Sequence, residues 1–333
     1  MGGRPFRAIL VIRPGAMGDV LLTLPVFGAL RDSFPGAQLT WMGNGPLLGF
    51  LPERSPVDRA IGFDEPDASV LFQAEAAPPD SVQSWLVHQD LVLNYGGEPA
   101  GTLPQNLRRL FSGPVVHVDA RPAAVARMPM REYLLAPLQQ LGVASREQPG
   151  RITLTEGDQR QAHAWRQEHG VTGGLAVLHP GSGSQRKNWP AEGFVAVASW
   201  LQRSAGLQVL WLSGPADAEA AGAVKKALED GPGLWLENAG LDLLAGVLAT
   251  AALYVGNDSG ISHLAAALGV SSVVIFGATD PLVWAPWGPH VRIVAAQART
   301  TRAGEGDGFA AMPVGLVEIG SVIAACRDAL GQP

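Results

Sequence analysis

Unbroken apolar runs alternate along this chain with stretches whose apolar positions recur every three or four residues. The first run, AILVI at Ala8–Ile12, has no polar alternation, which suits a strand covered on both faces of a parallel sheet. Residues 19–33 then carry apolar residues at helical spacing, with Pro25 within or just after the first turn. Further strands are predicted over residues 38–42, 60–63, 91–94 and 115–118. The second half repeats the theme. Helices are predicted over residues 157–170, 190–204 and 216–228, and strands running into glycine-rich loops over 175–181, 207–214, 253–260 and 272–277. Such alternation predicts an α/β protein with doubly wound parallel sheets, whose ligands sit at the carboxyl ends of the strands.

A length of 333 residues suits two domains of roughly 150 residues each. The expected division is 1–155 and 156–314, followed by a terminal helix in 315–333 that returns to pack on the first domain. Residues 297–313 are small and polar and read as a mobile loop. With 47% hydrophobic and 16% charged residues the chain has ample material for packed cores, and no period of about 20–50 residues suggests a solenoid or propeller.

Charge and cysteine content remove several function classes. The net charge is −6 and only Lys187, Lys225 and Lys226 are lysines, so a duplex-binding surface is not expected. Cys326 is the single cysteine, which leaves no intrachain disulfide and no cysteine-based zinc site. The apolar stretch near the amino terminus is too short for a signal peptide, and the longest apolar runs are broken before they could span a bilayer. The expected location is the cytoplasm, with peripheral contact at the inner face of the cytoplasmic membrane left open.

Three loops could carry chemistry. In PGAMGD, residues 14–19, Gly15 and Gly18 permit a tight turn that delivers Asp19 to the first turn of a helix. Asp19 is there either as a reactive carboxylate or as an ordinary helix cap. It is neither a dinucleotide GxGxxG nor a P-loop. In HPGSGSQRKNWP, residues 179–190, Ser182, Gly183 and Ser184 can offer hydroxyls and backbone N–H groups to an anion, and Lys187 adds a cation. The bland alternative is a solvated surface loop. In GNDSGISH, residues 256–263, Asp258, Ser259 and Gly260 lie where a strand breaks, with His263 one helical turn beyond Ser259. A helix cap and a core histidine would explain those residues singly. Trp284 and Trp287 follow a fourth loop and read as packing more readily than as a sugar platform.

Taken in order, GAMGDVLLTLP, HPGSGSQRKNWP and NDSGISHLAAALGVSSVVIFGATDP resemble the three signature segments of glycosyltransferase family 9, the ADP-heptose:lipopolysaccharide heptosyltransferases. The resemblance covers most of residues 7–290. It implies the GT-B fold, two facing Rossmann-like domains with a cleft between them, and an inverting transfer that needs no cofactor and no metal. It makes Asp19 the base for an acceptor hydroxyl, and Lys187 the cation on the leaving diphosphate. Ser182, Gly183 and Ser184 become the phosphate loop, Asp258 a sugar contact, and Ser259, Gly260 and His263 further donor contacts. The nucleoside is expected near Ser213, Gly214 and Pro215, with Asp217 or Glu219 on its ribose. The implied partners are a nucleotide-sugar donor, through ADP, and a glycan or glycolipid acceptor. Arg108, Arg109, Arg121, Arg127 and Arg131 make the acceptor half locally basic. Residues 94–131 and 291–315 match the family pattern poorly. An epimerase or hydrolase on the same scaffold, and a non-catalytic nucleotide-sugar-binding protein, are the rival readings.

Overall fold

The computed structural model describes residues 6–74, 85–98, 100–119, 128–144, 148–229, 233–296 and 311–332. It falls into two units, Met1–Thr153 and Leu154–Pro333.

The first unit is built on a five-stranded parallel sheet: β1 (Ala8–Ile12), β2 (Gln38–Gly43), β3 (Arg59–Gly62), β4 (Leu91–Asn94) and β5 (Val115–His117), in the order β3-β2-β1-β4-β5. Leu10, Ile12, Met42, Val92, Leu103 and Leu107 share one core. The chain moves outward from β1 to β3 and then returns to the other side of β1, so the switch point lies between β1 and β4. Register places Ile12 level with both Met42 and Asn94. The loops after β1 and β4 therefore leave the sheet side by side.

Residues 19–33 do not form the single helix expected from their spacing. Two helices, Met17–Leu21 and Leu24–Ser33, meet at Leu22 and Thr23. Pro25 lacks an N–H and its ring clashes with the carbonyl four residues back, so it is accommodated only near the start of a new helix.

The second unit carries a six-stranded parallel sheet: β6 (Leu175–His179), β7 (Gln208–Ser213), β8 (Leu234–Glu237), β9 (Leu253–Asn257), β10 (Ser272–Phe276) and β11 (Val291–Ala295), in the order β11-β10-β9-β6-β7-β8. β6, β9 and β10 are buried at every position, as their unalternated sequences require. Its switch point lies between β6 and β9, where His179 is level with Gly256. β8 and β11, at the two edges of the sheet, have no counterpart among the predicted strands.

The terminal helix, Ile319–Ala329, packs on β10, β11 and the helix Ala191–Arg203 of its own unit. Val322 and Cys326 enter the second core beside Phe194 and Val273, and Trp189 Nε1–H donates to Val317 O at 3.0 Å to fix the approach. The apolar side of the helix fits this face of the sheet in its own unit. Residues 297–310, most of the expected loop, lie outside the described residues.

Candidate functional site

In the first unit the run AILVI ends on a charged residue, Arg13, which is 1% exposed. Its guanidinium donates through Nη1 to Tyr95 O at 3.2 Å and through Nη2 to Asp19 Oδ1 at 3.4 Å. Asp19 Oδ2 accepts the Ala16 N–H at 3.0 Å, the return bond of a capping box in which Ala16 is the N-cap and Asp19 the third helical residue. Its side chain nevertheless remains 30% exposed, with each oxygen oriented by a donor. Gly15 makes this fit possible. Its φ is +138°, and a Cβ there would lie 2.8 Å from both Asp19 Cβ and Oδ2. Gly18 is the second residue of the short helix. Arg13 was not singled out by sequence reasoning; the signal was a charge closing an otherwise apolar strand.

At the neighbouring strand ends, Asn94 Oδ1 accepts the Gly96 N–H at 3.1 Å, and its Nδ2 donates to His117 Nδ1 at 3.0 Å. Burial holds the His117 imidazole below its ordinary pKa, against the pull of Asp119 and with help from Arg108. Of the arginines in this half, Arg109 bonds Asn106 and Arg131 pairs with Glu132. Arg121 and Arg127 lie outside the described residues.

The second unit assembles the other predicted residues at one switch point. Lys187 Nζ and Asp258 Oδ2 are 2.7 Å apart, with Asp258 7% exposed and Lys187 29%. Thr279 Oγ1 donates to the same carboxylate oxygen at 2.6 Å. The two motifs that supply Lys187 and Asp258 are locked by Asn257, which is fully buried. Its Nδ2 donates to Pro180 O at 2.7 Å and its Oδ1 accepts the Trp189 N–H at 3.1 Å.

The loop between them is shaped from within. The Ser182 hydroxyl lies 2.6 Å from Asn188 Oδ1 and 2.7 Å from Ser184 O, and accepts the Ser184 N–H at 3.2 Å. Gly183 is exposed at the tip, with open space where a side chain would stand. Ser259 caps the helix Gly260–Ala267 by accepting the Ser262 N–H, and His263 is buried one turn on. The helix therefore presents the uncompensated N–H groups of its first turn, a ready anion site.

Beside it, a cavity of about 180 Å³ opens between the ends of β6, β7 and β8. Leu212, Leu236, Leu244 and Ile261 give it apolar walls, with Ser213 and Gly214 among the lining residues. Apolar walls with a few fixed polar groups are what a nucleoside requires. Asp217 is buried and lines the cavity, with Oδ2 3.1 Å from His179 Nε2, whereas Glu219 is exposed and accepts from Gln185 Nε2. Burial alone would raise the Asp217 pKa, but the hydrogen bonds from His179 and the Gly214 N–H hold it below the usual carboxylate value.

Two doubly wound parallel sheets, one in each unit, are the architecture of the GT-B fold, and the family match makes the chain a glycosyltransferase. The family model "Glycosyltransferase family 9 (heptosyltransferase)" matches residues 103–306, and the chain belongs to that family. Lipopolysaccharide heptosyltransferase 3 of Escherichia coli K12 is 23% identical over 300 residues, covering 82% of this chain and 83% of that protein. Lipopolysaccharide heptosyltransferase 1 of Salmonella typhimurium is 26% identical over 297 residues, covering 82% and 89%. Among solved structures, a family 9 glycosyltransferase from Veillonella parvula superposes with a TM-score of 0.79 at 21% identity, covering 98% of each chain. The E. coli heptosyltransferase WaaC with ADP gives 0.69 at 19% identity, covering 97% of this chain and 99% of that one.

Proposed function

We propose that this enzyme transfers a heptose from ADP-heptose to a hydroxyl of a lipopolysaccharide-core or related glycan acceptor, with inversion at the anomeric carbon. Asp19 accepts the proton of the attacking hydroxyl, and the bond from the anomeric carbon to the diphosphate oxygen breaks as the new glycosidic bond forms. The observation that carries this is the Asp19 carboxylate itself, partly exposed yet oriented at both oxygens by Ala16 N–H and Arg13. A base held in one geometry loses little entropy when the acceptor arrives.

The departing ADP gains negative charge, which Lys187 and the N–H groups opening the helix Gly260–Ala267 meet in place. Asp258 orients Lys187 and contributes an acceptor for a donor-sugar hydroxyl. The relatives named as heptosyltransferases, and the one solved with ADP, support this donor.

The test is turnover of ADP-heptose with delipidated lipopolysaccharide core, following both ADP and the extended glycan. Asp19→Asn keeps an acceptor for the Ala16 N–H and should lower kcat by about 10²–10⁴-fold. Near-full activity in that variant would remove Asp19 from the base role. ADP release without acceptor, at the rate of full turnover, would favour a hydrolase.

A further inference from the structure

A set of buried polar groups, of which His179 and Asp217 also line the cavity beside Ser213 and Gly214, underlies the donor half of the site. His179 closes β6 and is 3% exposed, and Asp217 and Ser259 are each 9% exposed. Asp217 Oδ2 accepts the Gly214 N–H at 2.9 Å and stands 3.1 Å from His179 Nε2. His179 Nδ1 is 3.4 Å from Ser259 Oγ. Gly214 follows β7, His179 ends β6 and Ser259 follows β9, which are neighbours in the sheet. One chain of bonds therefore crosses three adjacent strand ends.

The donor and acceptor roles along this chain follow from chemistry. A carboxylate can only accept, so Nε2 of His179 carries a proton, and in the neutral imidazole Nδ1 is then an acceptor. Ser259 Oγ stands 3.3 Å from Ser262 Oγ and 3.4 Å from His179 Nδ1, and accepts the Ser262 N–H at 3.4 Å. An anion at this helix is met by the backbone N–H groups of its first turn, which Ser259 caps. Asp217 also lies against the other phosphate element: a Cβ on Gly181 would collide with its carboxylate. Two apolar side chains of similar volume would avoid the desolvation of this pair. What the polar pair supplies instead is a fixed relation between three loops.

We propose that Asp217 and His179 are positioning residues that hold Ser259 and residues 181–184 in register against the leaving diphosphate. The inference rests on the donor-site reading above. Misplacing groups that act on developing charge weakens the transition state more than the ground state. Loss of the pair should therefore appear in kcat before KM.

The experiment compares Asp217→Asn and Asp217→Ala in the full chain. The asparagine side chain can place its carbonyl oxygen where Oδ2 stands and accept both bonds, whereas alanine leaves His179 and the Gly214 N–H unpartnered. With ADP-heptose and core oligosaccharide, Asp217→Asn should stay within about fivefold of the parent kcat. Asp217→Ala should lose roughly 10–100-fold in kcat with donor KM changed less than about threefold. Long-range ¹H–¹⁵N spectra, assigned with His179→Asn, should show the His179 proton on Nε2. On addition of ADP, the Gly260 and Ile261 amide signals should shift in the parent and in Asp217→Asn, and much less in Asp217→Ala. A proton on Nδ1, a folded Asp217→Ala protein with kcat within twofold, or equal loss in both Asp217 variants would each overturn the proposal. Absence of any sugar transfer by the parent would defeat the donor reading alone, because the tautomer and the ADP titration decide this inference without turnover.

Discussion

Gly15 is the position at which backbone and chemistry constrain each other most tightly. Its φ of +138° is unfavourable for any L side chain, and a Cβ would press on Asp19 from 2.8 Å. Gly15→Ala should cost about 1–3 kcal/mol, read as a lowered melting temperature, and should lower kcat of the folded fraction at least tenfold by displacing Asp19. His117 makes a different residue-scale prediction. Its Nδ1 faces the Asn94 amide donor, whose orientation is set by the Gly96 N–H, so protonation there would oppose two donors. Burial lowers its folded pKa, while the unfolded value is near 6.5. The unfolded chain thus binds more protons in the interval between those values, and stability rises with pH across it. Stability is fully present above about pH 6.5 and is lost as pH falls toward the folded value. Denaturant midpoints measured from pH 5 to 8 should show this slope in the parent and a flatter one in His117→Gln. An equal slope in both would assign it to another group.

Among the elements, the terminal helix offers the sharpest separation of stability from activity. Val322 is fully buried in the core of the second unit. Val322→Ala should cost about 1–3 kcal/mol through lost burial and the cavity left behind, with kcat per folded molecule unchanged. Its neighbour Cys326 is the only thiol, and burial pushes its pKa up to about 12. A thiol reagent such as dithionitrobenzoate should react within the unfolded protein and hardly at all in the native one, since the thiolate is the nucleophile. Fast native reaction would show that the helix detaches. These elements were unevenly legible beforehand. Strands such as AILVI and LAVLH, buried on both faces, announce themselves by lacking alternation. β8 and β11 escaped notice because short edge strands such as LWLE and VRIVA, partly exposed in the sheet, carry neither a long apolar run nor a clear period. The helix end of residues 315–330 was visible, but its docking face was not, since amphipathic spacing shows that a face is buried and not against what.

At the scale of the whole molecule, local motifs disclosed which loops matter, whereas the partners that hold them lay far off in sequence. Lys187 meets Asp258 across 71 positions, His179 meets Asp217 across 38, and Arg13 reaches Tyr95 O across 82. Only strand order and register bring such pairs together, so the partners of Arg13 and Asn257 and the bond between His179 and Asp217 emerge only in three dimensions. Each unit has its own core, which sets up a final test of where the nucleotide binds. A ligand at 100 times its Kd stabilises the folded state that holds it by about 2.7 kcal/mol. ADP should therefore slow amide exchange most strongly in the second unit, at residues 181–187 and 258–263 and around the cavity by Ser213 and Gly214. UDP and GDP should slow it less if the cavity selects adenine. The comparison is made by hydrogen–deuterium exchange at matched nucleotide excess. Protection centred on the first unit, or equal protection by all three nucleotides, would overturn the assignment of the second unit as the ADP site or of adenine as its base, respectively.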